Sequence, residues 1–226
     1  VWGTGIGAVM TVAVVPYPLA GLFVADEAPH RIHDIVGAAQ YLPLWALPVL
    51  MLAWGRDPAG ALRIAIASSG AMFAVGLWSG DLIPSLSWMP LLTLVPLVRR
   101  HGWAPRLELA FVVAAVLTIA VAWRHAPTLV GFQQLGMADS HSLRFHFSGM
   151  AASYLSMAGA LTMCALFPVG DTLRRAVSAT VLAAGVVMLV WPHSESSLPA
   201  FDAVLLVAAG VAGAIGCRPA PAGLGD

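Results

Sequence analysis

Long uncharged stretches alternate with short charged ones along the whole chain. A helix needs about 20 mostly apolar residues to cross the hydrocarbon core of a bilayer, so each long stretch predicts a transmembrane helix. Eight stretches qualify, with the fifth and eighth the shortest. They are residues 1–25, 35–55, 64–80, 82–98, 109–123, 147–170, 176–192 and 203–217.

The uncharged stretch 126–138 is interpreted differently, because Pro127, Gly131 and Gly136 punctuate it. These residues are typical of a loop or a re-entrant segment. The sequence therefore predicts an all-α integral membrane bundle of about eight helices, or seven if a short span is re-entrant. Residues 1–217 form one transmembrane domain, and residues 218–226 form a short flexible tail. The first stretch lacks a basic start and a cleavage site, so we expect a retained helix rather than a signal peptide.

Composition supports a lipid environment. The chain has 226 residues, of which 59% are hydrophobic and 10% are charged, whereas a soluble domain has roughly 25% charged residues. The formal net charge is zero, which disfavours nucleic acid as a partner. Cys164 and Cys217 both lie in apolar stretches, and we expect neither a disulfide nor a metal site from them.

The arginines predict the orientation. Alternating the eight spans divides the 11 arginines into a set of eight and a set of three, and the richer side should be cytoplasmic. Both termini then belong to the cytoplasmic side. The richer set is Arg56, Arg63, Arg99, Arg100, Arg106, Arg174, Arg175 and Arg218, and the other is Arg31, Arg124 and Arg144.

Most histidines and acids fall on the non-cytoplasmic side. Many can be ordinary water-facing loop residues, but those leading directly into a span are costly in lipid and usually face the bundle interior. Three predicted helices begin there with an ionisable residue above a stripe at helical spacing. The stripes are Asp34, Ala38, Tyr41 and Trp45; Asp81, Ser85 and Trp88; and His146, Met150, Ser153 and Met157. Asp202 follows Pro199 at the eighth span.

Structural roles compete with a functional one at these positions. Trp78, Trp123 and Trp191 are predicted to end their spans at one level, which also fits the aromatic belt of a membrane interface. Asp34 also fits a helix cap with a first-turn charge. Asp81 also fits a tight turn between two spans.

Three kinds of chemistry were compared with this inventory. His30 and His33 could offer two metal ligands from one helix end, but no HExxH motif occurs, and we expect no metal. Diphosphate ionisation needs clustered carboxylates, and Asp26-Glu27 is the only adjacent acidic pair. Brønsted acid catalysis needs a buried carboxyl group, whose pKa burial raises, a neighbour that orients it, and aromatic faces that stabilise cations. The polar end fits this third class best.

Two segments resemble a known family. Residues 144–149 (Arg-Phe-His-Phe-Ser-Gly) and 127–132 (Pro-Thr-Leu-Val-Gly-Phe) resemble the "GF … HFHFAGF" signature of YndJ-like bacterial membrane proteins. His146, Phe147 and Gly149 match, whereas Arg144 and Ser148 depart from the pattern. Small proteins of this kind are similar to membrane terpene cyclases of indole-sesquiterpenoid (drimentine-type) and meroterpenoid pathways. The resemblance implies protonation of a terminal alkene or epoxide on a prenylated precursor, then ring closure, in the bacterial cytoplasmic (inner) membrane.

We therefore expect a cofactor-free membrane cyclase, of isomerase or lyase type, whose lipophilic prenylated substrate enters from the lipid. Asp34 and Asp81 are the first candidates for the acid, and Glu195 and Asp202 are the second. His146 and Arg144 would orient the acid or the substrate. Predicted substrate-binding residues are Tyr41, Trp45, Trp78, Trp88, Trp191, Phe145 and His33. The alternative is a transporter or receptor that uses the same polar end as an ion or metal site.

Overall fold

A computed structural model of the chain describes residues 40, 42–81, 105–135, 146–192 and 198–217. Within those ranges the chain is helical and contains no strand. A π-helical turn, Leu42–Ala46, leads directly into the first α-helix. The α-helices are α1 (Leu47–Ala53), α2 (Pro58–Ser79), α3 (Leu109–Gln134), α4 (His146–Leu166), α5 (Asp171–Val190) and α6 (Ala200–Gly216).

Helix length and surface chemistry are those of a membrane protein. Four helices are long and apolar enough to cross a bilayer, namely α2, α3, α5 and the Phe147–Leu166 part of α4. The outer face of α3 exposes Val113, Val116 and Trp123, the last with 80% of its surface accessible. A contiguous apolar face of this kind is unfavourable in water but is the expected surface towards lipid. The described residues therefore form a helical bundle of membrane type.

The helix termini fall into two groups. The lower end of the bundle contains the starts of α2, α3 and α5 and the ends of α4 and α6, and the upper end contains the opposite termini. At the lower end, the Arg106 N–H donates to the Leu166 carbonyl at 2.7 Å. At the upper end, Gln134 Nε2 donates to the Trp78 carbonyl at 2.6 Å. Helix α4 packs between α2 and α3, and α6 packs between α3 and α5. Helices α2, α3 and α5 run from the lower to the upper end, whereas α4 and α6 run the opposite way, so these neighbours are antiparallel.

One predicted boundary is wrong. Residues 126–135 do not form a loop, because α3 continues through Pro127 as far as Gln134. Proline removes one backbone N–H, and the rest of the hydrogen-bond ladder carries the helix past it. The fifth span is therefore a helix of 26 residues rather than a short one. It follows that Trp123 lies about 16 Å below Gln134 and cannot share the level of Trp78, contrary to expectation.

Helices α2 and α5 begin earlier than predicted, because charged residues lie inside them. Asp57 accepts a hydrogen bond from the Gly60 N–H at 3.1 Å and starts α2 at Pro58. The same carboxylate accepts from the Gly170 N–H at 2.6 Å, which ties α2 to the turn before α5. The predicted spans 1–25 and 82–98 lie outside the described residues.

Buried arginines fix the lower end. Arg174 donates to both carboxylate oxygens of Glu108, at 2.7 and 2.8 Å, and its guanidinium lies 5.2 Å from the centre of the Phe111 ring. Arg63 donates to the Pro168 carbonyl at 2.6 Å. A bidentate arginine–carboxylate pair is among the stronger polar contacts in proteins. These contacts join α3 to α5, and α2 to the turn that follows α4.

Glycines set the close packing of α5 on α6. A Cβ placed on Gly210 would lie 2.5 Å from the backbone nitrogen of Leu182, and one on Gly185 would lie 2.6 Å from that of Val207. Gly213 faces the Ser178 side chain in the same way. Small residues at such positions let helix backbones approach closely, which is a main source of helix association in lipid.

The Gly210→Ala substitution should destabilise this helix pair, because a rigid backbone cannot move away from the new methyl group. We expect a loss of about 1–3 kcal/mol, the usual result of overpacking. The loss of stability is measured by thermal unfolding in detergent, monitored by size-exclusion chromatography. The matched control is Gly70→Ala in α2, where a Cβ meets nothing within 4 Å. Equal stability of the two variants would contradict the close α5–α6 approach.

Candidate functional site

A buried carboxylate in the first turn of α6 is the centre of the site. Asp202 has 0% of its surface exposed. Its Oδ2 lies 2.8 Å from His125 Nε2, and its Oδ1 lies 3.3 Å from Arg124 Nη1. The arginine contact is an ion pair without hydrogen-bond geometry, so Oδ1 has no hydrogen bond among the described residues. One oxygen of the carboxylate is thus held by a histidine, and the other retains hydrogen-bonding capacity.

Local sequence explains how each helix presents these groups. Pro199 caps α6, and its carbonyl accepts a hydrogen bond from the Asp202 N–H at 2.8 Å. An acid in a first turn is also favoured by the helix dipole. On α3, consecutive residues point about 100° apart because the helix has 3.6 residues per turn. The His125 side chain therefore faces inwards while Arg124, with 53% of its side chain exposed, reaches Asp202 from the rim and stacks on Phe201.

A tyrosine from a third helix completes the cluster. Tyr154 on α4 is 2% exposed, and its ring centre lies 6.5 Å from that of His125. Its hydroxyl has no hydrogen-bond partner among the described residues. Helices α3, α4 and α6 therefore bring an imidazole, a phenol and a carboxyl group together.

The cluster lies inside the bundle rather than at its tip. His125 precedes Gln134 by nine residues, which corresponds to about 14 Å along α3 at 1.5 Å per residue. Gln134 itself is at the upper end, where it contacts Trp78. Ionisable side chains at such depth in a membrane protein are rare and mark ligand sites, ion pathways or proton relays.

Of the predicted acids, Asp202 belongs to this cluster and Asp81 does not. Asp81 follows α2 at the upper end and accepts a hydrogen bond from Ser79 Oγ at 3.0 Å, as a turn residue does. Asp34 and Glu195 lie outside the described residues.

The structure describes three of the predicted aromatic residues. Trp45 is buried in the hydrophobic core beside Leu44. Trp78 and Trp191 are exposed at the upper ends of α2 and α5, which fits the aromatic-belt alternative. His146 begins α4, and its side chain is not described. Arg144, Tyr41, Trp88, Phe145 and His33 lie outside the described residues.

Sequence reasoning missed three members of the cluster. Arg124 and His125 were placed in a loop, because the charged pair was interpreted as the end of a span. One signal in the sequence could have found them. The uncharged stretch 126–138 that follows the pair is long enough to continue the fifth span past Arg124 and His125. Tyr154 lies between the stripe positions Ser153 and Met157, and nothing in the sequence marked it.

The described residues contain no group of three His, Cys, Asp or Glu side chains that could hold a metal ion. Asp202 and His125 would supply two ligands, and Arg124 would oppose a cation beside them. A proton is the charge that this cluster is suited to handle. Cys164 and Cys217 are free thiols.

Comparison with known proteins gave no relative. No family model, no curated protein and no solved structure matches this chain. Any function must therefore be argued from the site itself.

Proposed function

We propose that the chain is a membrane cyclase in which Asp202 protonates an apolar, prenylated substrate. The observation that carries the proposal is the fully buried Asp202 carboxyl group, whose Oδ2 lies 2.8 Å from His125 Nε2. A general acid for an apolar substrate must be shielded from water and oriented by a neighbour, and this pair meets both requirements.

The two oxygens of Asp202 would have different tasks. The His125 Nε2–H donates to Oδ2 and fixes the plane of the carboxyl group, which leaves Oδ1 to carry the acidic proton. The positive charge of Arg124 would stabilise the carboxylate that remains after proton transfer.

The chemistry needs no cofactor. The O–H bond of Asp202 breaks, the substrate's terminal double bond supplies the electron pair for a new C–H bond, and a carbocation forms. The next double bond attacks that cation and closes a ring. Loss of a proton from the final cation gives an alkene, and the returned proton restores Asp202. The faces of Tyr154 and of nearby aromatic residues would stabilise the cations.

We further propose about eight spans, with the lower end of the bundle on the cytoplasmic side of a bacterial inner membrane. Five arginines of the predicted cytoplasmic set lie near the lower helix termini: Arg56, Arg63, Arg106, Arg174 and Arg175. Helix α2 ends at the upper end and α3 begins at the lower end, an arrangement that supports the proposed span at 82–98.

The resemblance to YndJ-like proteins remains part of this proposal. The two segments that carry it pack together, since the rings of Phe132 and Phe147 lie 5.6 Å apart and the Ser148 N–H donates to Gln133 Oε1 at 3.4 Å.

Turnover in heavy water tests the proposal. Detergent-solubilised protein is incubated with a farnesylated indole that bears a terminal alkene, and separately with its terminal epoxide. We expect a cyclised product, and from the alkene we expect part of the product to carry one deuterium at the carbon that Asp202 protonates. Added chelator should leave the rate unchanged, because no metal takes part. If neither compound gives a cyclised product, the proposed cyclase function is contradicted.

A proton-coupled transporter is the second candidate. The observation in its favour is Arg124, which links the buried Asp202 to the bundle surface through a half-exposed side chain. Carboxylate–histidine pairs within spans serve as proton relays in transporters. Protein in sealed vesicles that carries protons with a solute, but forms no cyclised product, would favour this function.

A further inference from the structure

The hydroxyl group of Tyr154 has no task in the first proton transfer. It is buried on α4, has no hydrogen-bond partner among the described residues, and belongs to a ring that lies 6.5 Å from the His125 ring. Buried hydroxyl groups usually have a partner, and one that has none beside an ionisable pair calls for an explanation. Another buried hydroxyl of this helix, Ser156, does donate to the Ser68 carbonyl at 3.3 Å.

We propose that Tyr154 is the base that ends the reaction, taking the proton from the cyclised cation and returning it to the Asp202–His125 pair. This inference rests on the proposed cyclase function. A C–H bond beside the cationic carbon breaks, its electron pair becomes the new double bond, and the proton goes to a lone pair of Tyr154 Oη. The protonated phenol then releases its extra proton and the Asp202 carboxylate takes one up, so both groups regain their starting states.

A neutral phenol can serve as the base in this step. A carbocation is so strong an acid that a phenol oxygen suffices to take its proton. The ring of the same tyrosine can stabilise the cation before it loses the proton. Asp202, His125 and Tyr154 then handle one proton that leaves and returns within the protein.

The Tyr154→Phe substitution tests the proposal through the products rather than the rate. The variant retains the ring and the shape but has no lone pair that can accept a proton. We expect substrate consumption to fall by no more than roughly tenfold, since Asp202 still starts the reaction. The wild-type alkene should become a minor product, replaced by isomeric alkenes and by alcohols from capture of water. Ser156→Ala, which removes another buried hydroxyl from α4, should leave the product ratio unchanged. A wild-type ratio from Tyr154→Phe overturns the proposal.

A second measurement uses the wild-type protein alone. The substrate carries deuterium at the position that loses a proton, and the reaction runs in ordinary water. If the proton returns within the site, a fraction of the products should contain deuterium at the carbon protonated in the next turnover. Complete loss of the label to water overturns the return step. A wild-type protein that forms no cyclised product refutes the function and this inference together. If product formation requires Asp202 but the product ratio does not depend on the Tyr154 hydroxyl, this inference alone is refuted.

Discussion

Replacement of Asp202 by Asn should abolish turnover of a prenylated substrate while the bundle remains folded. Asn is nearly isosteric with Asp, and its side-chain carbonyl can still accept a hydrogen bond from His125 Nε2. It has no proton acidic enough to give to an alkene. A general acid typically contributes ~10²–10⁴-fold to the rate, and we expect a loss at the upper end of that range. The assay is product formation by purified protein, with folding followed by size-exclusion profile.

The chain provides a matched control for this variant. Asp171 occupies the first turn of α5 as Asp202 occupies the first turn of α6, but it is exposed and lies at the lower end. Asp171→Asn removes one carboxylate from an equivalent helical position and should leave turnover unchanged. If Asp202→Asn were fully active, the proton would have to come from Asp34, Asp81 or Glu195.

The helices were predictable because lipid imposes one simple rule. A long uncharged stretch must form a helix that satisfies its own backbone, and five of the predicted spans overlap α2 to α6. The boundaries failed where a charge is paired inside the bundle. Arg63 and Arg174 were taken as loop residues, since a sequence shows the charge but not the Pro168 carbonyl or the Glu108 carboxylate that receives it.

The site was predictable only in part for the same reason. Asp202 was identified because an acid after Pro199 at the start of a span is visible in the sequence. Its partner His125 is 77 positions away, and only the antiparallel packing of α3 against α6 brings the two together. Tyr154 depends on the rotation of α4 about its axis, which an apolar helix without a strongly polar face does not specify.

Substitution of Arg174 by Ala should be among the most destabilising single changes at the lower end. Arg174 and Glu108 form a largely buried bidentate pair that joins α5 to α3. Among the described residues, removal of Arg174 leaves Glu108 with only the longer, 3.8 Å contact to Arg106 Nε, and breaking a buried pair typically costs about 3–5 kcal/mol. The loss of the stacking contact with Phe111 adds to this. Denaturant unfolding in mixed micelles measures the free energy of unfolding.

A variant of the neighbouring Arg175 distinguishes the loss of the Arg174–Glu108 pair from a general effect of removing one positive charge. Arg175 is exposed, so Arg175→Ala removes the same charge from the same turn of α5 and should change stability by less than about 1 kcal/mol. Arg174→Lys should lie between the two, because an ammonium group retains the charge but not the two parallel hydrogen bonds. The double substitution of Arg174 and Glu108 by Ala should destabilise by clearly less than the sum of the single changes, since the second removes a charge already unpaired. Additive effects would mean that the two residues stabilise the bundle independently, and the contact between α3 and α5 would then not depend on their pairing.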